Sequence, residues 1–196
     1  MKKKAAAVLI LALTAALAAG GSLTDTNFSV IGNRGRGRLL FLAWGALVAV
    51  WGYISMEDLM EQGQIRDGWT EGFLLLAELC FLWGLGLPYR PRLVPGMAGL
   101  HVGLSLTGCL FFLFCIIRFL HQLERRFGRQ FGLEKALLWS VLLISAALYR
   151  AVGIISGLLE LFVTLAFVWY LKRMEKKLVK ISLAKGGECV ILNRLK

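Results

Sequence analysis

The chain has 196 residues, of which 58% are apolar and 18% charged, with a mean hydropathy of +0.68. The apolar residues come in blocks about as long as a bilayer is thick, where a soluble helix would carry a stripe. This balance excludes an ordinary globular enzyme, a disordered chain and a disulfide-stapled secreted domain.

What remains is an all-α polytopic membrane protein: a bundle of transmembrane helices over residues 1–171 and a basic tail over 172–196. The net charge of +11 does not point to nucleic acid. A nucleic-acid binder gathers its basic groups on one folded surface, whereas these lie in short segments between apolar blocks, where topology accounts for them.

Lys2, Lys3 and Lys4 precede an apolar run, and a first span is expected at about residues 5–21. The same run also reads as the h-region of a signal peptide, with Ala16-Leu17-Ala18 as a cleavage pattern. Cleavage would leave five spans. A polar loop follows with Asp25, Asn27, Ser29 and Asn33, ending in Arg34-Gly35-Arg36-Gly37-Arg38. The second span covers about 39–56 and an acidic connector runs over 57–71. The third span, about 72–87, is closed by Pro88, Pro91 and Pro95, which stop helices on either side. The fourth covers about 96–119, and a basic segment follows to Lys135.

Residues 136–171 are almost continuously apolar. As one helix they would measure about 54 Å against a hydrocarbon core of ~30 Å. Two short spans, about 133–149 and 153–171, fit better. With six spans and the N-terminus inside, 17 Lys and Arg lie on the inner side and 6 on the outer. That bias puts both termini in the cytoplasm of a cell-membrane protein. The arginines of the first loop are the local exception.

Ionisable groups inside a span are costly, so Glu78, His101 and Glu160 are candidates by position. At 1.5 Å per residue they lie roughly 15, 8 and 10 Å below the outer edge. They therefore read as one intramembrane cluster, either a proton or cation relay or a hydrogen-bonded packing device. Gly99 with Gly103 and Gly153 with Gly157 have the small-x3-small spacing that lets helices approach closely. Lys172, Arg173, Lys176, Lys177 and Lys180 extend the last span into water. They read as a topology anchor able to contact anionic inner-leaflet lipid. The four cysteines form no C-x-x-C and read as apolar packing residues. No zinc-hydrolase, phosphate-loop or nucleophile-elbow signature is present, and no cofactor or metal is expected.

Three short elements carry a resemblance. Ser29-Val30-Ile31-Gly32 stands in the first external loop, Leu100-His101 opens the fourth span, and Gly157-Leu158-Leu159-Glu160 stands in the last. Together with the span layout these resemble the DUF998 and Frag1/DRAM-like group of small six-span membrane proteins, bacterial members included. Val30 stands where an acidic residue often follows that serine, which is a departure from the pattern. The resemblance implies a fold more than an activity.

Three functions from different classes remain: a non-enzymatic accessory or lipid-associated protein, a small proton-coupled carrier using the intramembrane Glu and His, and a membrane-embedded lipid-modifying enzyme. The loop over 22–38 adds a structural expectation. Phe28, Val30 and Ile31 are interleaved with its polar residues, which a solvated loop has little use for. We expect it to fold back over the outer mouth with Phe28 and Ile31 buried. Asp25, Asn27, Ser29, Asn33 and Arg34 would then form a polar cap, its arginines facing headgroups, an anionic ligand or a bundle carboxylate.

Overall fold

The computed structural model describes residues 3–33 and 37–184. Among them the chain forms α1 (Lys3–Ala18), a short α2 (Phe28–Gly32), α3 (Gly37–Gly63), α4 (Gly68–Gly86), α5 (Pro95–Phe127), α6 (Gly132–Val152) and α7 (Gly157–Ala184). A single 3-10 turn, Arg129–Phe131, leads into α6. No strand occurs among the described residues. The protein is an all-α membrane-type bundle. Four helices are long and apolar enough to cross a membrane: α3, α4, α5, and α6 with its 3-10 turn. The outer two fall short for separate reasons. α1 has 16 residues, about 24 Å of helix, and α7 carries Glu160, Lys172 and Arg173 within its first eighteen residues.

Local chemistry sets the boundaries. Asp67 caps α4 by accepting from the Trp69 and Thr70 amides, and Pro95 starts α5 where a missing N–H costs nothing. Gly153, at φ 79°, ends α6 in the left-handed conformation that favours glycine. The helices outrun the apolar blocks at their inner ends. The expected acidic connector over 57–71 shrinks to residues 64–67, and the basic segment after residue 119 is mostly α5.

α3 stands centrally, touching α1, α2, α4 and α7, while α6 leans mainly on α7. α1 runs antiparallel to α3: the Trp44 indole donates to Thr14 Oγ1 at 2.9 Å and the Trp51 indole to the Lys3 carbonyl at 3.3 Å. The main core lies toward the end that holds Lys3 and Ala184, expected from the sequence to be the inner one, around Met56, Met60, Phe119, Leu123, Phe131 and Met174. A smaller core of Leu17, Phe28, Ile31 and Phe41 closes the opposite end, expected to be the outer one.

The glycine expectation needs correcting. A Cβ at Gly99 or Gly103 would meet nothing within 4 Å, so this pair packs on no helix among the described residues. Gly153 serves the α6 turn. Gly157 does pack, but on the Thr26 carbonyl and Leu23. Close helix approach falls to Gly108, whose Cβ would lie 2.9 Å from the Phe81 ring and 3.2 Å from the Ala77 carbonyl of α4. α4 and α5 accordingly share the most extensive interface. Spacing finds glycines, but only the rotation of the helix decides which of them face a neighbour.

Candidate functional site at the outer mouth

The segment after α1 is tied to itself and to the start of α7. Ser22, Thr24 and Asp25 bond among themselves, with Ser22 Oγ donating to Asp25 Oδ2 at 2.7 Å. The Leu23 and Thr26 carbonyls accept the first amides of α7, from Leu158 at 2.8 Å and Gly157 at 2.6 Å. Those amides have no partner within their own helix, so the loop completes the start of α7. Asn27 then caps α2, its side chain accepting from the Val30 amide at 2.8 Å. Asn33 closes the other end, Nδ2 donating to the Ser29 carbonyl at 2.7 Å. An N-F-S-V-I-G-N stretch folds locally as a single capped turn because polar caps flank an apolar centre.

α2 sits over the mouth with Phe28 and Ile31 buried. Phe28 meets Trp44 edge to face at 5.3 Å, and a Cβ at Gly32 would lie 2.5 Å from Phe41, so α2 rests directly on α3. Beneath it, two adjacent residues of α2 bind two of the three candidate intramembrane groups. Ser29 Oγ lies 2.9 Å from His101 Nε2, and the Phe28 amide donates to Glu160 Oε2 at 2.5 Å.

The imidazole roles follow from its second contact. His101 Nδ1 is 2.7 Å from the Gly84 carbonyl, which can only accept, so Nδ1 carries the proton. In the neutral ring Nε2 accepts, and the Ser29 hydroxyl donates to it. His101 is 5% exposed, with the Tyr89 ring 5.4 Å away and Phe41 at 6.4 Å. It thus links α5, the end of α4 and α2 in one chain of hydrogen bonds.

Glu78 lies elsewhere. It sits on α4 about 9 Å deeper than Gly84, within electrostatic range of Tyr53 on α3, and forms no hydrogen bond or ion pair among the described residues. The sequence reading grouped all three, but Gly84, the partner of His101, stands about 9 Å along α4 from Glu78. Arg34 and Arg36 lie outside the described residues. Arg38, which drew no notice beyond its charge, donates from Nη2 to the Gly86 and Leu85 carbonyls at 3.0 and 3.4 Å. Its partner is therefore the carbonyl end of α4, where a cation also meets the negative end of the helix dipole. Among the described residues it forms no ion pair with a carboxylate.

The inner end carries a second set of polar contacts. Glu134, fully buried, pairs with Lys177 Nζ at 2.5 Å and Arg173 Nη2 at 3.3 Å. Lys172 pairs with Glu175 at 2.9 Å. Three of the five basic residues expected at the lipid surface are thus neutralised within the bundle, while Lys176 and Lys180 remain exposed. Sequence reading missed Glu134 because a lone acid in a basic stretch looks like a solvated residue. Asp67 is held by Thr70, by Gln122 and by Arg118, whose Nη2 and Nε lie at 3.0 and 3.1 Å. Burial pushes its carboxyl upward, but the bonds from Thr70, Gln122 and Arg118 outweigh that and hold it well below the usual carboxylate range.

Among the described residues no group of three metal-ligating side chains gathers. Ser156 of the Gly-Ile-Ile-Ser-Gly stretch is buried and caps α7 through the Leu159 amide at 3.4 Å.

No family model, curated protein or solved structure matches the chain.

Proposed function

We propose that this is a six-span cell-membrane protein with a non-enzymatic accessory or lipid-associated role, its outer end closed by the α2 plug. The observation that carries the reading is that the buried outer-mouth groups, His101 and Glu160, are engaged with the plug's own hydroxyl and amide. A carrier needs such groups to face a water path, and an enzyme needs them to converge on a substrate-sized space.

Six spans follow if α1 and α7 cross beside the four long helices. In support, α1 buries Ile10, Thr14 and Leu17 against its neighbours, which fits a retained helix better than a cleaved signal. Exposed Trp69, Trp139 and Trp169 mark one end, and exposed Trp83 and Tyr149 the other, as interfacial belts do. The first end also holds Lys3, Arg66, Arg118, Arg125, Lys135 and Arg173, and this basic bias supports a cytoplasmic placement of that end and of both termini. Membership of the DUF998 and Frag1/DRAM-like group belongs to the same proposal. The residues that carry that likeness, Ser29, Gly32, His101, Gly157 and Glu160, gather at the plug.

A carrier is the second reading, favoured by Glu78, a carboxylate in mid-helix without a hydrogen bond. Reconstituted vesicles decide between them. Wild type, Glu78→Gln and Glu160→Gln should all show no proton uptake beyond protein-free vesicles under a pH gradient. The vesicle lipids should be unchanged by mass spectrometry, and lipid should remain bound through purification. Gradient-driven uptake lost in Glu78→Gln or Glu160→Gln would establish the carrier, and conversion of lipid would establish the enzyme.

A further inference from the structure

We infer that the inner end of the bundle holds a binding site for a phosphate-bearing anion, formed by Arg66, Arg125 and Arg126. This deepens the lipid-associated reading and rests on its assignment of this end to the cytoplasmic interface.

Lys3, Arg118, Lys135, Lys172, Arg173 and Lys177 each pair with a carboxylate of the chain. Arg66 and Arg125 do not: both are exposed, and neither forms a hydrogen bond or ion pair among the described residues. Arg126 donates to neutral groups only, the Gln64 carbonyl at 2.7 Å and the Gln64 side-chain oxygen. Among the described residues it forms no ion pair, and its guanidinium lies over the Phe127 ring at 5.7 Å. Of the nearby carboxylates, Asp67 and Glu124 are already engaged by Arg118 and Lys135, and Glu61, in the last turn of α3, has an interaction of its own.

Shape distinguishes these three from the other exposed cations. Together with Gln64, Ile65 and Gln122 they line an open hollow of about 360 Å³ where the α3–α4 turn meets α5. Lys176 and Lys180 line no part of it. The hollow is also rigidly built. Ile65 is a buried apolar floor, its amide bonded back to the Met60 carbonyl at 2.9 Å. Gln64 is held at φ 48°, the positive-φ non-glycine residue among the described residues, and Arg126 grips it from α5. Guanidinium groups match phosphate oxygens in planar, paired geometry, and basic pockets at the cytoplasmic ends of membrane helices bind phosphorylated headgroups. The same chemistry serves a lipid headgroup or a free phosphate.

The test uses the full chain in neutral detergent. Retention of phosphatidylglycerol against phosphatidylcholine is read by native mass spectrometry, and inorganic phosphate is added separately with thermal midpoint as readout. Arg66→Gln with Arg125→Gln removes two charges that form no hydrogen bond or ion pair among the described residues, and Lys4→Gln with Arg129→Gln removes two exposed charges from outside the hollow. We expect the arginine pair to lower phosphatidylglycerol retention about thirtyfold and the control pair to leave it within about twofold. Phosphatidylglycerol retention without a phosphate-dependent midpoint assigns the site to a headgroup. A midpoint raised by phosphate and lost in the arginine pair assigns it to a soluble anion. Equal losses in both pairs, or no preference for either anion, overturns the inference. Such a failure, with no proton flux and phosphatidylcholine still bound, leaves the lipid-associated reading standing.

Discussion

At the residue scale, the outer mouth depends on single hydrogen bonds whose partners have nowhere else to go. Ser29→Ala would leave His101 Nε2 buried without a donor, which costs about 1–3 kcal/mol. Thermal unfolding in detergent should show a lower midpoint, and an unchanged midpoint would mean the Ser29–His101 contact contributes nothing. Asp67 gives a pH-dependent counterpart. Its carboxyl is held below the ordinary value near 3.9, so its contribution is fully present above that value and fades as pH falls further. The midpoint difference between wild type and Asp67→Asn should be constant from pH 7 to 5 and shrink below about pH 4. A difference that grows on acidification would reverse the sign. His101 and Glu160 were legible in the sequence because ionisable residues stand out in apolar blocks. Ser29 was legible too, as part of the polar cap, but its pairing with His101 was not, and the Phe28 amide that meets Glu160 carries no mark in a sequence.

Packing of whole elements turns on which face each helix presents. Gly108 of α5 faces the Phe81 ring and the Ala77 carbonyl, so Gly108→Leu must push α4 and α5 apart and should cost about 1–3 kcal/mol. Gly103→Leu, on an open face, should leave the detergent melting midpoint unchanged. Equal effects of the two would show that the α4–α5 interface differs from the one described. The α6–α7 hairpin has its own pin. Glu134→Gln leaves Arg173 and Lys177 together without their carboxylate; both cations are partly exposed, so the loss of these charged contacts should cost about 1–3 kcal/mol. Lowered stability in Glu134→Gln, relative to Glu175→Gln at the more exposed Lys172 pair, is the expected result. The small-x3-small pattern was visible at Gly99 and Gly103, yet spacing along a helix says nothing of its rotation. Gly108 lacks a partner at that spacing and so passed unnoticed.

For the whole molecule, antiparallel pairing of α1 with α3, α4 with α5 and α6 with α7 brings the basic ends together. Single cysteines placed at Lys4 and Lys180 should both be labelled from the cytoplasmic side, and one placed at Arg92 from the other. Labelling of Lys4 and Lys180 positions from opposite sides would remove either α1 or α7 as a span. Composition and block length alone determined the all-α membrane class, the breaks at the prolines and the break between α6 and α7. These follow from hydropathy and from backbone rules that act within a few residues. The burial of Phe28 and Ile31 was also anticipated, because apolar side chains alternating with caps leave a loop one stable option. Tertiary structure alone decided that Glu78 stands apart from His101 and Glu160, that Arg38 meets the carbonyl end of α4, and that Lys177 turns inward to Glu134. Each depends on the azimuth of a helix and the reach of a long side chain across to another. Those quantities are fixed only when all the helices pack at once.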